Sequence, residues 1–287
     1  MKKTSSVLFF GFGQVAQTIF HDLKSKNFKF FATNTTGRLK KKSYKKCFFL
    51  KFNSNVYDKK IKQLIEKIDY IVVSIAPDKK GDLVLKNFKE SIKNFKGKKI
   101  IYLSSTAVYG DHAGAWVNES STTKPKTSTG SKRLQAEKQW QRLKKQEKLP
   151  IFILRIAGIY SPKNNIVNRI IHSKILNLNS SQYISRIHIN DLANIIIKII
   201  LKTKINRSIF NVADNQPLTP LESASIAVNF LGKKFQLSKF LKSLTINYSK
   251  NKIFSDSKRV MNDKLIKDLN YKLQFPNLNS GLINIFN

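Results

Sequence analysis

The sequence predicts an α/β fold with a doubly wound parallel sheet, and three features of the chain support this prediction. Short runs that are apolar throughout recur along the chain, as expected for strands that are buried on both faces. Segments with helical periodicity separate these runs, which is typical of strand–helix–strand units. The first apolar run ends at Gly11 and Gly13, directly before the first helical pattern.

The predicted strands follow the apolar runs in chain order. They cover residues 6–10, 28–33, 47–52, 69–76, 99–104, 151–156 and 208–213. The first predicted helix follows Gly13 and places Val15, Ile19 and Leu23 on one face. The other predicted helices cover residues 57–67, 82–95, 131–148, 165–178, 188–202 and 217–230. Three glycines, Pro125 and a Ser/Thr cluster predict a long loop over residues 110–130.

The chain is strongly basic, with 53 Lys and Arg against 17 Asp and Glu and a formal charge of +36. Such a charge suggests a nucleic-acid or membrane-surface partner. However, 45 of these residues are lysines and only 8 are arginines, whereas base and phosphate recognition relies on the arginine fork. The excess is spread over both halves of the chain, and Lys, Asn, Ile and Phe all have A/T-rich codons. We therefore expect no nucleic-acid partner.

The cysteine and histidine content limits which disulfides and metal sites the chain can form. The single cysteine, Cys47, excludes an internal disulfide and a cysteine metal cluster, and four scattered histidines give no visible metal site. No apolar run approaches the ~20 residues that a membrane-spanning helix requires. The apolar run after the first lysines is too short for a signal peptide. We expect a cytoplasmic protein with no metal and no membrane partner.

The segment Gly11-x-Gly13-x-x-Ala16 lies between the first strand and the first helix, where a dinucleotide-binding fingerprint belongs. Gly11 permits the tight turn, Gly13 lets a pyrophosphate approach the backbone, and Ala16 allows close helix–strand packing. The helix N-terminus adds N–H donors. An ordinary strand–helix turn is the alternative, but the repeated pattern favours a Rossmann-type cofactor site. To this site we assign Gly11, Gly13, Gln14, Val15, Ala16, Thr33, Arg38, Ser74 and Ala76.

The end of the second predicted strand discriminates between the two nicotinamide cofactors. NAD sites usually place Asp or Glu there to hold the ribose 2′-hydroxyl. Residues 32–38 (ATNTTGR) contain no acid, but they contain hydroxyls, including that of Thr33, and the rare Arg38. This pattern favours a 2′-phosphate, so we predict NADP, with NAD less favoured. A solvated loop arginine is the alternative interpretation of Arg38.

Several segments in a fixed order carry a family resemblance. They are the Gly11–Gly13 loop, residues 104–110 (SSTAVYG), 154–160 (LRIAGIY), 186–191 (RIHIND) and 210–214 (FNVAD). In this order they resemble the extended and atypical short-chain dehydrogenase/reductase superfamily, in particular its nucleoside-diphosphate-sugar epimerase/dehydratase-like proteins. The resemblance implies an NAD(P)-binding Rossmann domain and a small C-terminal substrate lobe. We place the first in residues 1–160. Residues 161–287 would supply late Rossmann elements and the lobe.

The same resemblance implies catalysis by a Ser/Thr, Tyr and Lys set. Ser105 matches the Ser/Thr, whose hydroxyl would bind the reacting oxygen of the substrate; capping of a strand-end turn is the alternative. Aligning Ala136-Glu137 with the Ala-Glu of the family places Thr129 at the Tyr position and Arg133 at the Lys position. A threonine hydroxyl has too high a pKa to replace a tuned phenol. Arg133 could contact the nicotinamide ribose but cannot relay a proton.

Two further residues complete the predicted substrate set. Trp116, in the long loop, could stack on a base or sugar, or it could simply anchor the loop. Arg186 could meet a substrate phosphate, whereas helix capping and a domain-joining hydrogen bond are the favoured roles of His188 and Asp191. Ser105, Trp116 and Arg186 are therefore the predicted substrate residues.

Two functional hypotheses follow. In the first, the protein is an NAD(P)-dependent oxidoreductase or epimerase/dehydratase-like enzyme that acts on a small polar substrate or a nucleotide-sugar without the catalytic Tyr. In the second, it is a catalytically inactive NAD(P)-binding regulatory or assembly protein. Under either hypothesis the expected partner is a small molecule, and a homodimer stays open.

Overall fold

The computed structural model describes residues 4–38, 42–172, 175–177, 182–231, 245–247 and 256–286. Its strands are β1 (Ser5–Phe10), β2 (Phe28–Asn34), β3 (Cys47–Asn53), β4 (Val56–Tyr57), β5 (Tyr70–Val73), β6 (Lys99–Ser105), β7 (Trp116–Val117), β8 (Ile151–Ile156), β9 (Gly158–Tyr160), β10 (Ile175–Asn177), β11 (Arg186–His188), β12 (Ile209–Val212), β13 (Thr245–Asn247) and β14 (Arg259–Val260). Its α-helices are α1 (Gln14–Leu23), α2 (Lys60–Lys67), α3 (Leu83–Lys93), α4 (Ser128–Glu147), α5 (Ile166–His172), α6 (Ile189–Leu201), α7 (Pro220–Val228), α8 (Asp263–Leu269) and α9 (Leu278–Phe286).

The central sheet has eight strands in the order β12-β8-β6-β5-β1-β2-β3-β4. All neighbours pair in parallel except β4, which runs antiparallel to β3. The strand order reverses between β1 and β5, and such a switch point is where open α/β sheets bind their ligands. The predicted Rossmann-type doubly wound sheet is confirmed.

Alternate residues of β1 explain why the sheet is covered on both faces. Val7 and Phe9 are buried among residues of α1 and α6, whereas Leu8 and Phe10 are buried among residues of α2, α3 and α4. All four side chains are fully buried, so the strand is apolar on both faces. This is why the strand sequences show no alternation of polar and apolar residues.

The predicted helix over residues 165–178 is wrong at residues 175–177. The helix α5 ends at His172, and residues 175–177 form β10, which pairs in parallel with β13. A local periodicity could not reveal this pairing, because the partner strand lies about seventy residues away along the chain and pairing, not propensity, decides strand formation. The helix α4 begins at Ser128, three residues before its predicted start, since the Thr127 hydroxyl accepts a hydrogen bond from Gly130 N.

The residues after the sixth predicted strand contribute to two layers. The strand β12 completes the central sheet beside β8, and α6 packs against α1 on one face of that sheet. The helices α5, α7 and α9 form a smaller cluster, with Val167, Ala227 and Leu282 at its centre. The pattern of the last ~55 residues did not predict α8 and α9. The division of the chain at residue 160 stays a prediction.

A buried lysine joins the start of β6 to the end of α6. The side chain of Lys99 is buried and donates hydrogen bonds to the carbonyl oxygens of Ile199 (2.5 Å), Ile200 (3.4 Å) and Lys202. These carbonyls lie at the C-terminus of a helix, where no intrahelical donor reaches them. Burial lowers the pKa of Lys99, and the three carbonyl oxygens replace part of the hydration that its ammonium loses.

Candidate functional site

The turn after β1 requires a glycine. Gly11 has a φ of +92°, which favours glycine, and a Cβ at this position would lie 2.7 Å from Ser74 Oγ. Two hydrogen bonds hold this turn in place. Gly11 N donates to Thr33 Oγ1 (3.0 Å), and Ser74 Oγ donates to Phe10 O (3.0 Å). The tight turn predicted at Gly11 is therefore present.

Gly13 opens a cradle at the N-terminus of α1. Apart from Gly13 itself and the adjoining backbone, no described atom lies within 4 Å of the position that a Cβ of Gly13 would take. No side chain caps this helix end, and its first turn contains no acidic residue. The adjoining cavity of about 340 Å³ is lined by Gly13, Gln14, Val15, Ala16, Ser74, Ile159, Asn164 and Ile189. Unpaired N–H groups and the positive end of the helix dipole make this cradle suited to an anion such as a pyrophosphate.

Four residues assigned to the cofactor site lie outside this lining: Gly11, which forms the turn, and Thr33, Arg38 and Ala76. Thr33 is fully buried, and its hydroxyl supports the loop, so it is not presented to a ribose. Ala76 is exposed two residues beyond Ser74. Arg38 is exposed in the turn that follows β2 and has no ion-pair partner among the residues that the structure describes.

The sequence analysis missed Asn34, which shapes the turn that carries Arg38. Its Oδ1 accepts hydrogen bonds from Gly37 N (2.6 Å) and Thr36 N (3.1 Å), while its Nδ2 donates to Arg38 O (2.9 Å). An asparagine followed by Thr-Thr-Gly is a typical side-chain-to-backbone turn, and that signal could have identified it. Asn34 stands where an acid would be expected in an NAD site.

The predicted catalytic residues surround the C-terminal end of β6. Ser105 ends that strand, is half-buried, and its Oγ accepts a hydrogen bond from Ala107 N (3.2 Å), which caps the 3-10 turn Thr106–Tyr109. The hydroxyl keeps its own proton to donate. Thr129 is exposed in the first turn of α4. Arg133 lies one turn further and donates from Nη1 to Leu103 O (2.8 Å).

The two tyrosines closest to Ser105 in sequence are engaged elsewhere. Tyr109 is fully buried; its hydroxyl donates to Asn211 Oδ1 (2.6 Å) and accepts from Arg155 Nη1 (3.0 Å). Tyr102 is also fully buried, and its hydroxyl lies 3.5 Å from Arg133 Nη1. Burial raises the pKa of both phenols. Neither phenol is arranged to exchange a proton with a ligand at the strand end.

An ion pair with almost no access to solvent lies beneath this edge of the sheet. Arg155 Nη2 and Glu137 Oε2 are 3.0 Å apart, and the two side chains are 6% and 0% exposed. Ser104 Oγ donates to Glu137 Oε1 (2.6 Å), while Arg155 Nη1 also reaches Glu119 O (3.3 Å). The pair thereby connects α4 with β6, β8 and the long loop.

Arg186 has a structural role that the sequence analysis did not assign to it. The side chain is buried, and Nη1 donates to Ile184 O (3.0 Å) and Leu218 O (3.5 Å). Burial lowers the pKa of Arg186 to about 10, and the Asp214 carboxyl opposes that shift. The guanidinium thus supports the backbone bridge between Ile184 and Leu218. It does not line the cavity at Gly13.

His188 and Asp191 connect α6 to the C-terminal segment. The His188 Nδ1 accepts a hydrogen bond from Asn190 N (3.3 Å) and caps the helix. Asp191 is fully buried and accepts hydrogen bonds from Tyr271 Oη (2.6 Å), Gln274 N (2.9 Å) and Phe275 N (2.8 Å). Burial lowers the pKa of His188 to about 4, against the opposing effect of Asp191.

Trp116 lies in a cluster whose other members the sequence analysis missed. Its ring is 47% exposed. The guanidinium carbon of Arg259 lies 6.0 Å from the Trp116 ring centroid and 3.9 Å from that of Tyr183. We call these three residues the aromatic–arginine cluster. No local pattern could reveal it, because its members lie on three segments far apart in sequence.

The chain is similar in sequence to known proteins over part of its length. The sequence model of the NAD dependent epimerase/dehydratase family matches residues 84–213. A dTDP-D-glucose 4,6-dehydratase from Dictyostelium discoideum is 26% identical over 225 residues, or 64% of this chain. The chain spans about half the length of that curated relative, 51%.

Solved structures are similar over nearly the whole chain. A functionally unknown conserved protein from Silicibacter pomeroyi superposes with a TM-score of 0.80 at 26% identity, covering 98% of both chains. The UDP-N-acetylglucosamine 4-epimerase from Bacillus cereus gives 0.76 at 17% identity, covering 98% of this chain and 95% of its own. The dTDP-glucose 4,6-dehydratase of Bacillus anthracis, in complex with NAD, gives 0.75 at 17% identity, covering 97% and 94%.

The chain is therefore similar to the NAD dependent epimerase/dehydratase family over residues 84–213, and its fold is that of the solved nucleotide-sugar epimerases and dehydratases. Within the described residues, no helix is both long enough and apolar enough to cross a bilayer. In the same part of the chain, no group of three or more His, Cys, Asp or Glu side chains is arranged to hold a metal ion.

We predict that Glu137→Gln lowers the free energy of unfolding by about 3–5 kcal/mol, because it leaves the Arg155 charge buried without its counter-ion. Chemical denaturation followed by circular dichroism measures this loss. The double variant Glu137→Leu/Arg155→Met, which removes both charges, should recover part of it. A loss below about 1 kcal/mol for Glu137→Gln would show that water or another group compensates Arg155.

We predict that His188 makes the protein less stable as the pH falls from about 6.5 to 4. In this window the unfolded chain binds a proton at this residue and the folded chain, whose His188 pKa is about 4, does not. The free energy of unfolding should therefore decrease by up to about 1.4 kcal/mol for each pH unit in this window. It should level off below pH 4.

His188→Asn is the matched variant, because asparagine also caps helices well. Burial raises the pKa of Asp214 to about 8, so its carboxyl gives an opposite slope in both proteins. The difference between the two unfolding profiles isolates His188. Parallel profiles between pH 4 and 6.5 would contradict the prediction.

Proposed function

We propose that this protein binds a nicotinamide dinucleotide, with NADP preferred to NAD, and acts as an oxidoreductase of the epimerase/dehydratase type on a nucleotide-sugar. The observation that carries the proposal is the open cradle at Gly13, next to an uncapped helix N-terminus. Similar solved structures include complexes with NAD, with UDP-glucuronic acid and with UDP-N-acetylmuramic acid. The cytoplasmic location and a homodimer stay predictions.

The lack of acidic residues in the turn that carries Arg38 supports the preference for NADP. The turn that follows β2 contains Asn34, Thr35, Thr36 and Gly37 and no carboxylate that would repel a 2′-phosphate. Asn34 fixes the backbone of this turn through Arg38 O, while the Arg38 side chain is exposed. A guanidinium fork suits a phosphate better than a hydroxyl.

The residues of the site would each have a separate role. When bound, the nicotinamide supplies hydride transfer. The backbone from Gly11 to Ala16 would hold the pyrophosphate, and Arg133 would orient the nicotinamide ribose. Ser105, with a free hydroxyl proton, would polarise the reacting oxygen of the substrate. Because Thr129 cannot act as an acid near neutral pH, the proton would come from water or from the substrate itself.

The alternative is a protein that binds the cofactor without turnover and serves as a regulatory or assembly protein. The engagement of Tyr102 and Tyr109 favours this alternative, because neither of the two phenols closest to Ser105 in sequence is free to relay a proton. The two functions predict equal cofactor binding and differ only in turnover.

We predict that the protein binds NADPH at least tenfold more tightly than NADH. Arg38→Ala should weaken the binding of NADPH about tenfold, because one charge-assisted contact is lost, and it should leave the affinity for NADH unchanged. Titrations followed by nicotinamide fluorescence measure both affinities. Lys29→Ala removes a charge at the other end of β2 and should change neither affinity. Equal affinities of the parent protein for the two cofactors would refute the NADP preference.

Gly13→Asp tests the cradle itself. The backbone of Gly13 has a φ of −79°, which any residue adopts, so the fold should persist. The new carboxylate would occupy the anion site and weaken both cofactors more than tenfold through like-charge repulsion. Ser25→Asp, which adds the same charge beyond the opposite end of α1, is the control. Undiminished binding by Gly13→Asp would place the cofactor elsewhere.

We predict turnover of a UDP-sugar or dTDP-sugar that depends on Ser105. Mixtures of the protein, NADP⁺ or NAD⁺, and UDP-N-acetylglucosamine, UDP-glucuronic acid or dTDP-glucose are analysed by chromatography and mass spectrometry. Ser105→Ala should reduce the rate by about 10²-fold or more, whereas Ser131→Ala, an exposed serine of α4, should not. Saturable cofactor binding without any product would favour the inactive alternative.

A further inference from the structure

A cavity of about 810 Å³ lies on the face of the sheet that α2, α3 and α4 cover. We call it the α3–α4 cavity, because most of its lining belongs to those two helices. Its volume is within the range of about 300–1,000 Å³ that is typical of small-molecule sites. It shares no lining residue with the cavity at Gly13, so it is separate from the proposed cofactor site.

Tight contacts fix the backbone that surrounds the α3–α4 cavity. The turn before α3 packs on α4, since Asp82 N donates to Gln139 Oε1 (2.9 Å). Gly81 has a φ of +113°, and a Cβ there would lie 2.4 Å from the Gln139 amide, so only glycine permits this approach. The backbone of α3 departs from helical geometry at Phe88, whose buried ring lies 4.7 Å from that of Tyr57.

Cations outnumber acids in the lining of this cavity. The lining contains five basic and two acidic side chains, namely Lys62, Lys80, Lys86, Lys89 and Arg142 against Asp82 and Glu90. All five basic side chains are exposed. None of them forms an ion pair with a carboxylate in the part of the chain that the structure describes.

Both acids of the lining are already engaged. Asp82 is buried, and its Oδ1 accepts hydrogen bonds from Val84 N (2.9 Å) and Leu85 N (3.0 Å), which caps α3. Burial also raises the pKa of this carboxyl. Glu90 Oε1 lies 3.0 Å from Lys93 Nζ, which is outside the lining. The two carboxyl groups therefore do not neutralise the five cations.

Cations that surround a concave space are suited to a compact ligand with several negative charges. A triphosphate chain offers such charges in a row, and each phosphate can accept charge-assisted hydrogen bonds. The guanidinium fork of Arg142 matches two phosphate oxygens, whereas each lysine supplies a point charge. A nucleic acid would instead require cations along an extended stripe of phosphates.

We propose that the α3–α4 cavity binds the triphosphate chain of a small anion, which is either inorganic triphosphate or a nucleoside triphosphate. Lys89 of α3 and Arg142 of α4 are the principal ligands, so the bound anion connects the two helices. The site is additional to the proposed function and does not depend on it, because the two cavities share no residue.

Titration calorimetry with tripolyphosphate and with ATP tests this site, without divalent cations and at about 0.15 M salt, where exposed charges are largely screened. Gly13→Asp protein is measured beside the parent protein, because its cradle excludes phosphates without any need for NADPH. Lys89→Gln/Arg142→Gln should weaken both anions at least tenfold, since two charge-assisted contacts are lost. Lys138→Gln/Lys145→Gln removes two exposed charges of α4 outside the lining and should change neither affinity more than twofold.

The two anions identify the source of the triphosphate. Equal affinities indicate that the phosphate chain is the whole ligand, whereas tighter binding of ATP indicates that the nucleoside also enters the cavity. Either result supports the site if the loss is confined to Lys89→Gln/Arg142→Gln.

Two outcomes would overturn the proposal. One is the absence of binding by either anion up to about 1 mM. The other is an equal loss in the two double variants, which would show that anions bind the basic surface diffusely. If Lys89→Gln/Arg142→Gln lowers the melting temperature, the single variants Lys80→Gln and Lys86→Gln decide, and unchanged affinity in both overturns the proposal. None of these results depends on whether the parent protein binds NADPH.

Discussion

The buried ion pair between Glu137 and Arg155 is the interaction on which the C-terminal edge of the sheet around β6 and β8 depends. Two charges removed from water are tolerated only when their remaining lone pairs and N–H groups also find partners. Ser104 and Tyr109 supply such partners, and Tyr109 passes the connection on to Asn211 of β12. One helix, three strands and the long loop are therefore fixed by a single polar network. This network holds the end of β6 next to Ser105 in place.

The same network orients α4, the helix that carries Thr129 and Arg133. Thr129, Arg133 and Glu137 are spaced four residues apart along α4, so they lie on one face. Because Glu137 is bound to Arg155, that face is directed to the end of β6, where Arg133 reaches Leu103 O. Arg133 is thereby held beside the strand that ends at Ser105.

The sequence predicts the elements whose signals are local. The central strands are buried on both faces and are apolar throughout, and the glycine turn at Gly11 follows from a backbone conformation that side chains oppose. Short strands such as β10 depend on partners far along the chain, so their residues carry no signal of pairing. The same reason explains why the sequence did not reveal the role of Arg186. Its guanidinium is engaged by the carbonyl oxygens of Ile184 and Leu218, and no spacing in the sequence encodes these contacts.

Lys99 differs from the exposed lysines of this basic chain in its access to chemical reagents. Its amine is buried and occupied by the carbonyls at the end of α6, so amine-reactive reagents should reach it only when that helix end opens. The far end of α6 holds the C-terminal segment through Asp191. Slow modification of one lysine, followed by peptide mass mapping, would therefore report on how firmly the sheet and the C-terminal segment remain joined.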